Sequence, residues 1–159
     1  MERAVFGTEL TVLSNCADRN REGLIESVSR LSDADSRQAL VPSATTPIGL
    51  VKHAAAAERF WFQRFLDGRA EDDCDGNSSP GEGSFRVDAH EPLAEVIAEF
   101  RAASETSREI LSRFSLDEVL HNSHGDPVSV RFVLIHAIEE FARHAGHADI
   151  LVEQILDAR

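Results

Sequence analysis

Imidazoles and one carboxylate recur in this sequence at positions that could hold a metal ion. Glu140, His144 and His147 lie in RFVLIHAIEEFARHAGHAD (131–149), and His53 lies in PIGLVKHAAAAERFWFQRFL (47–66). With Glu140 as origin and about 100° per residue, Val133, Leu134, Ala137, Phe141, Ala145, Ala148, Leu151, Val152 and Ile155 fill an arc from roughly 20° to 140°. His144 falls near ~40°, inside that apolar arc, while Glu140 and His147 sit at its edge near ~0° and ~−20°, and His136 near ~−40°. A carboxylate and an imidazole one turn apart are thereby aimed at the interior. Unpaired, each would cost a few kcal/mol to bury, and a divalent cation is one partner that satisfies both.

Two plainer accounts compete. A lone histidine on an apolar face is more often a hydrogen-bonded core residue, and a Glu–His pair at i, i+4 is commonly a surface contact worth a few tenths of a kcal/mol. His53 shifts the balance. It stands mid-stripe among Leu50, Ala54, Ala57, Phe60, Trp61 and Phe65, with small residues one turn away that leave room beside the ring. His121 and His124 fall in a polar stretch and are expected to be exposed.

The elements that must position these side chains follow from periodicity. Apolar residues at helical spacing predict helices over 8–31, 47–66, 92–114 and 129–157. Thr46-Pro47 reads as an N-cap followed by proline at the first helical position, and Ser129 as the N-cap of the last helix. Segments 32–47, 68–90 and 115–129 read as connections. The acidic group Glu71, Asp72, Asp73 and Asp75 lacks the spacing of a calcium loop and reads as a solvated run. Four long amphipathic helices predict an all-α, antiparallel four-helix bundle in a single domain spanning 1–159.

At 159 residues the chain can bury a sizeable core. Its net charge of −12 argues against nucleic acid as a partner, which requires a basic footprint. No apolar run reaches the roughly 18 residues of a membrane span, and the first residues lack the form of a signal peptide. Cys16 and Cys74 form no CxxC, and a reducing, cytoplasmic setting is the simpler expectation.

Two motifs, L-V-K-H-x-x-x-x-E-R-x-W-F at 50–62 and H-x-x-x-E-x-x-x-H-x-G-H-x-D at 136–149, resemble the DinB-like superfamily over about residues 8–156. The closest likeness is to uncharacterised actinobacterial DinB-like proteins, related in fold to mycothiol-dependent maleylpyruvate isomerase. The resemblance implies a zinc or nickel ion between the second and last helices, held by His53, Glu140 and His144. His147 would be a fourth ligand or a group behind the ligands. Many DinB-like members carry histidine where this chain has Glu140, but a His–Glu–His set is also used in the isomerase branch. Three protein ligands leave an open coordination position, which marks a catalytic site rather than a closed structural one.

The resemblance further implies a metal-dependent enzyme acting on a small molecule, an S-transferase or isomerase using mycothiol or a similar low-molecular-weight thiol. His147 or His136 would carry protons. A metal-dependent hydrolase and a non-enzymatic metal-binding protein are the alternatives. Dimerisation is common among such proteins, so the resemblance allows a homodimer, but the sequence itself does not show one. Glu58 and Arg59 read as partners behind the ligands or as an exposed pair, Trp61 and Phe62 as core, and Arg143 and Asp149 as contacts to the first helix.

Overall fold

A computed structural model describes residues 2–158. Four long helical rods dominate it: α1 (Glu9–Val28), α3 (Pro47–Glu58, continued by a π-helical segment Arg59–Leu66), α4 (Leu93–Leu111) and α5 (Val130–Asp157). A one-turn helix α2 (Asp33–Ser36) interrupts the first connection. The chain is 62% helical, and the all-α bundle expected from the periodicity is what forms.

The starts are set by local chemistry. Thr8 Oγ1 accepts from the Thr11 amide, Thr46 Oγ1 from the Gly49 amide and Ser129 Oγ from the Phe132 amide. Each satisfies an amide that the helix itself leaves unpaired, worth about 1 kcal/mol. α1 packs mainly on α5 and α3 mainly on α4, while α3 also meets α5. Leu24, Leu50, Phe100, Leu134 and Phe141 fill the space between them. The run Ala54–Ala57 is buried along its whole length, so small side chains let α3 lie close to its neighbours.

Three features depart from the sequence reading. The second helix is α-helical only to Glu58, and the wider π turn that follows rotates the next residues. Phe62, Gln63 and Leu66 are buried there, whereas Phe60, Trp61 and Phe65 are only partly covered. Segment 115–129 is not simply a connection. It holds an antiparallel hairpin, β1 (Val119–His121) and β2 (Pro127–Ser129), with Val119 opposite Ser129 and His121 opposite Pro127. Segment 68–90 contains two single 3-10 turns, the second of which, Glu82–Phe85, packs onto α3. The contact is close at Gly49, where a Cβ would stand 2.8 Å from the Phe85 carbonyl oxygen. The absent side chain is what admits the 82–85 turn.

Candidate metal centre

His53 lies in the middle of α3, and Glu140 and His144 lie one turn apart on α5. His53 Nε2 is 2.8 Å from Glu140 Oε1, and His144 Nε2 is 2.9 Å from the same oxygen. Three potential ligand atoms, one from each residue, fall within 4.8 Å of one another. The two imidazoles meet edge to face with centroids 4.8 Å apart. His53 and His144 are buried and Glu140 is half-buried, as the helical wheel of α5 and the stripe on α3 require.

Segment 68–90 completes the surroundings. His53 Nδ1 is 2.7 Å from Ser84 Oγ, and the Ser84 hydroxyl donates to the Gly81 carbonyl at 2.5 Å. A hydroxyl has one hydrogen, so Ser84 must accept from a protonated His53 Nδ1. That leaves Nε2, the nitrogen facing Glu140, as the basic one in the neutral ring. The Phe85 ring stacks on His53 at 4.1 Å and 8°, which fixes the plane of the imidazole.

These bonds test whether a cation fits. A neutral His53 would turn its Nε2 lone pair on a carboxylate oxygen, an arrangement that needs a positive charge between the two atoms. Protonating both rings would place two imidazolium groups side by side, whereas one divalent cation serves all three ligand atoms with both Nε2 atoms neutral. His144 Nδ1, on the side of the ring away from Glu140, is buried with no hydrogen-bond partner among the described residues, and a cation at Nε2 would not supply one. Hydrogen bonds from His144 and His53 hold the Glu140 carboxyl far below the usual carboxylate range, against the opposing effect of burial. The anionic form of Glu140 is thereby favoured. The donor set of two imidazoles and one carboxylate suits zinc and nickel. The second carboxylate oxygen of Glu140 lies 3.4 Å from Arg143 Nη1.

The remaining candidates separate from this group. His147 is exposed, with its ring 5.6 Å from that of His144, at the rim and outside the three-atom cluster. His136 is partly exposed, stacked with Phe132 at 11° and edge-on to Trp61 at 4.9 Å. His121 and His124 are exposed on the hairpin, as expected. Asp149 does contact α1, accepting from Ser27 Oγ, whereas Arg143 turns to Glu140 instead.

Sequence reasoning missed Ser84 and Phe85 altogether, because nothing in the irregular segment 68–90 marks which residues will face His53. Glu58 and Arg59 are neither exposed nor in contact with the ligands. Glu58 accepts from Arg21 and Ser104, and Arg59 donates to Asp75 and Glu99. Asp75 therefore leaves the solvated acidic run to become an anchor.

Comparison with known proteins agrees with this architecture. The profile of the mycothiol-S-transferase family matches residues 12–157, and the chain belongs to that family, a DinB-like one as the two motifs imply. A crystal structure of a conserved protein from Enterococcus faecalis is similar in fold. Its TM-score is 0.66 at 18% identity, covering 97% of this chain and 100% of the other. No protein of curated function matches the sequence.

Proposed function

We propose, from membership of the mycothiol-S-transferase family, that this chain is a metal-dependent S-transferase for a mycothiol-type thiol. The observation that carries the metal requirement is the convergence of His53, Glu140 and His144 on one point between α3 and α5. A zinc or nickel ion held by these three residues would lower the pKa of an incoming thiol and favour its thiolate form. The protein's own groups do the rest. Glu140 supplies the charge that offsets the cation, and Ser84 and Phe85 hold the His53 ring in one tautomer and one plane. His147, exposed at the rim, accepts the thiol proton and passes it to solvent. The sulfur then forms a bond to the electrophilic carbon of the second substrate, whose leaving group departs with the bonding pair.

Anaerobic purification with elemental analysis tests the premise: about one zinc or nickel per chain is expected. His53→Ala should lower metal affinity by at least about a thousandfold, on the order of 4 kcal/mol, because it removes the only ligand from α3. His121→Ala should change nothing. Consumption of electrophiles should require both metal and thiol. Turnover with metal alone would identify a hydrolase instead, and tight metal binding without either turnover would identify a binding protein. No uptake of micromolar zinc or nickel near neutral pH would overturn the metal centre.

A further inference from the structure

The outward face of α5 is apolar where the outward faces of the other rods are not. With Glu140 again as origin, Phe132, Ile135 and Ile150 fall at about 280°, 220° and 280°, on the side of the helix opposite the buried arc. They are 48%, 40% and 58% exposed. Among the described residues, α1, α3 with its π-helical continuation, and α4 carry no large hydrophobic side chain so exposed. A single exposed apolar residue needs no explanation, but a row of them along one helix marks a contact surface. We propose that this face pairs with the same face of a second copy of the chain, the two α5 helices running antiparallel about a two-fold axis at position 141. The pairing follows from the surface alone and is independent of the S-transferase reading.

The row spans roughly 27 Å of helix axis, from Phe132 to Ile150, and is extended at both ends. At one end the partly exposed Trp61 meets Phe132, with centroids 6.1 Å apart. At the other, the exposed Val41 lines a cavity together with Ile150. Between them lie Ala142 and Gly146, both exposed. A Cβ on Gly146 would meet nothing within 4 Å in its own chain, so the fold itself does not need glycine there. Glycine weakens a helix interior, but at this place it lets a second helix approach closely.

The charges on this face choose the partner and its direction. Glu139 and Arg143 lie at its middle, near about 260° and 300°. Glu139 meets His136 at 3.9 Å, and Arg143 meets Glu140 through Nη1 at 3.4 Å, both at partly exposed positions. Glu139 and Arg143 stand at equal distances either side of position 141, and so do Phe132 and Ile150. A two-fold axis pairs residue i of one copy with residue j of the other, and j with i. An axis at 141 therefore sets Glu139 of each copy against Arg143 of the other, and Phe132 of each against Ile150 of the other. Ile135 then comes to the gap beside Gly146. A parallel, in-register pairing would stack Glu139 on Glu139 and Arg143 on Arg143, which is unfavourable.

A membrane surface fits this face less well. Helices that lie on membranes are flanked by Lys and Arg, whereas this face carries Glu139 and Glu153 beside Arg143, on a chain of net charge −12. That net charge also repels a second copy. At an ionic strength of about 0.15 M, charges further apart than about 8 Å are largely screened, while the contacts between paired helices lie inside that distance. Pairing is therefore expected at such salt.

Sedimentation equilibrium of the full, metal-free chain at about 0.15 M salt reads the assembly. Twice the 17.5 kDa of one chain is expected. Ile150→Glu should weaken association by about tenfold or more, with helical content retained because that side chain is already exposed. Glu139→Arg and Arg143→Glu should each weaken it by about tenfold, since each sets like charges opposite. Mixed together, those two variants should recover a dimer, because each supplies the charge that the other lacks. A wild-type monomer at about 100 μM would overturn the proposal and leave the face to a different partner. So would a dimer unaffected by Ile150→Glu, or charge variants that mixing does not restore.

Discussion

The helical rod Pro47–Leu66 carries two buried polar clusters, one around Glu58 and Arg59 and one around His53, and their hydrogen bonding differs. At the first, every charge meets its opposite. Glu58, with no exposed surface, accepts from Arg21 Nη2 at 3.0 Å and from Ser104 Oγ at 3.2 Å. Arg59 donates to Asp75 and Glu99, and Glu99 also receives Lys52 at 2.6 Å. Even the backbone is fitted to it: a Cβ on Gly76 would stand 2.6 Å from the Arg59 guanidinium carbon. At the second cluster, two ring nitrogens and a carboxylate oxygen converge, and His144 Nδ1 has no hydrogen-bond partner among the described residues. The first cluster is complete as a structural joint. The second gathers three potential metal-ligand atoms on one point.

Breaking each cluster should therefore have different consequences. The largest expected effect is on the joint: Arg21→Ala leaves Glu58 buried and without its cation, a loss of about 3–5 kcal/mol in urea unfolding of metal-free protein. Glu140→Gln should cost metal-free protein less than Arg21→Ala, because Glu140 is only half-buried and keeps an amide in place of the carboxylate, while weakening metal binding. Equal losses for the two variants would erase the distinction.

A smaller effect sharpens the second cluster from outside. Ser84→Ala removes the acceptor that fixes the His53 tautomer, and metal affinity by calorimetry should fall about 10–100-fold with the fold retained. An unchanged affinity would show that Phe85 stacking alone holds the ring.

The smallest effect is in acid. Burial alone would raise the Asp75 and Glu99 carboxyls, but hydrogen bonds from Arg59 to both, from Gln63 to Asp75 and from Lys52 to Glu99 outweigh it and lower them. Their unfolded references are 3.8 and 4.5. Below those values the unfolded chain binds more protons than the folded one, so their contribution is present above pH 4.5 and is lost as pH falls. Glu99→Gln should flatten the decline of melting temperature below that pH. A slope identical to wild type would remove Glu99 from the account.

What the sequence revealed depended on how local the cause was. The period of α5 placed Glu140 and His144 correctly because 28 consecutive residues repeat one pattern. Thr46-Pro47 and Ser129 marked helix starts because capping is decided within three residues. The π turn at 59–66 was not legible: the aromatic run fits an α-helical stripe, and the change of pitch is decided by packing that buries Gln63 and Arg59. The hairpin strands are three residues each, too short to show alternation. Its turn rests on Asn122 Oδ1, which accepts from the His124 and Asp126 amides, and on Gly125 at φ 84°. Ser84 lies 31 positions from the ring it supports, beyond the reach of any local rule.

That last contact has a consequence in time. The support for His53 comes from the connection that is itself fastened at Gly49 and at Arg59. If release of an ion held by His53 required the imidazole to turn away, the fastening of this segment at Arg59 would slow that release. Amide hydrogen exchange of 81–86 and metal dissociation should then share one opening rate.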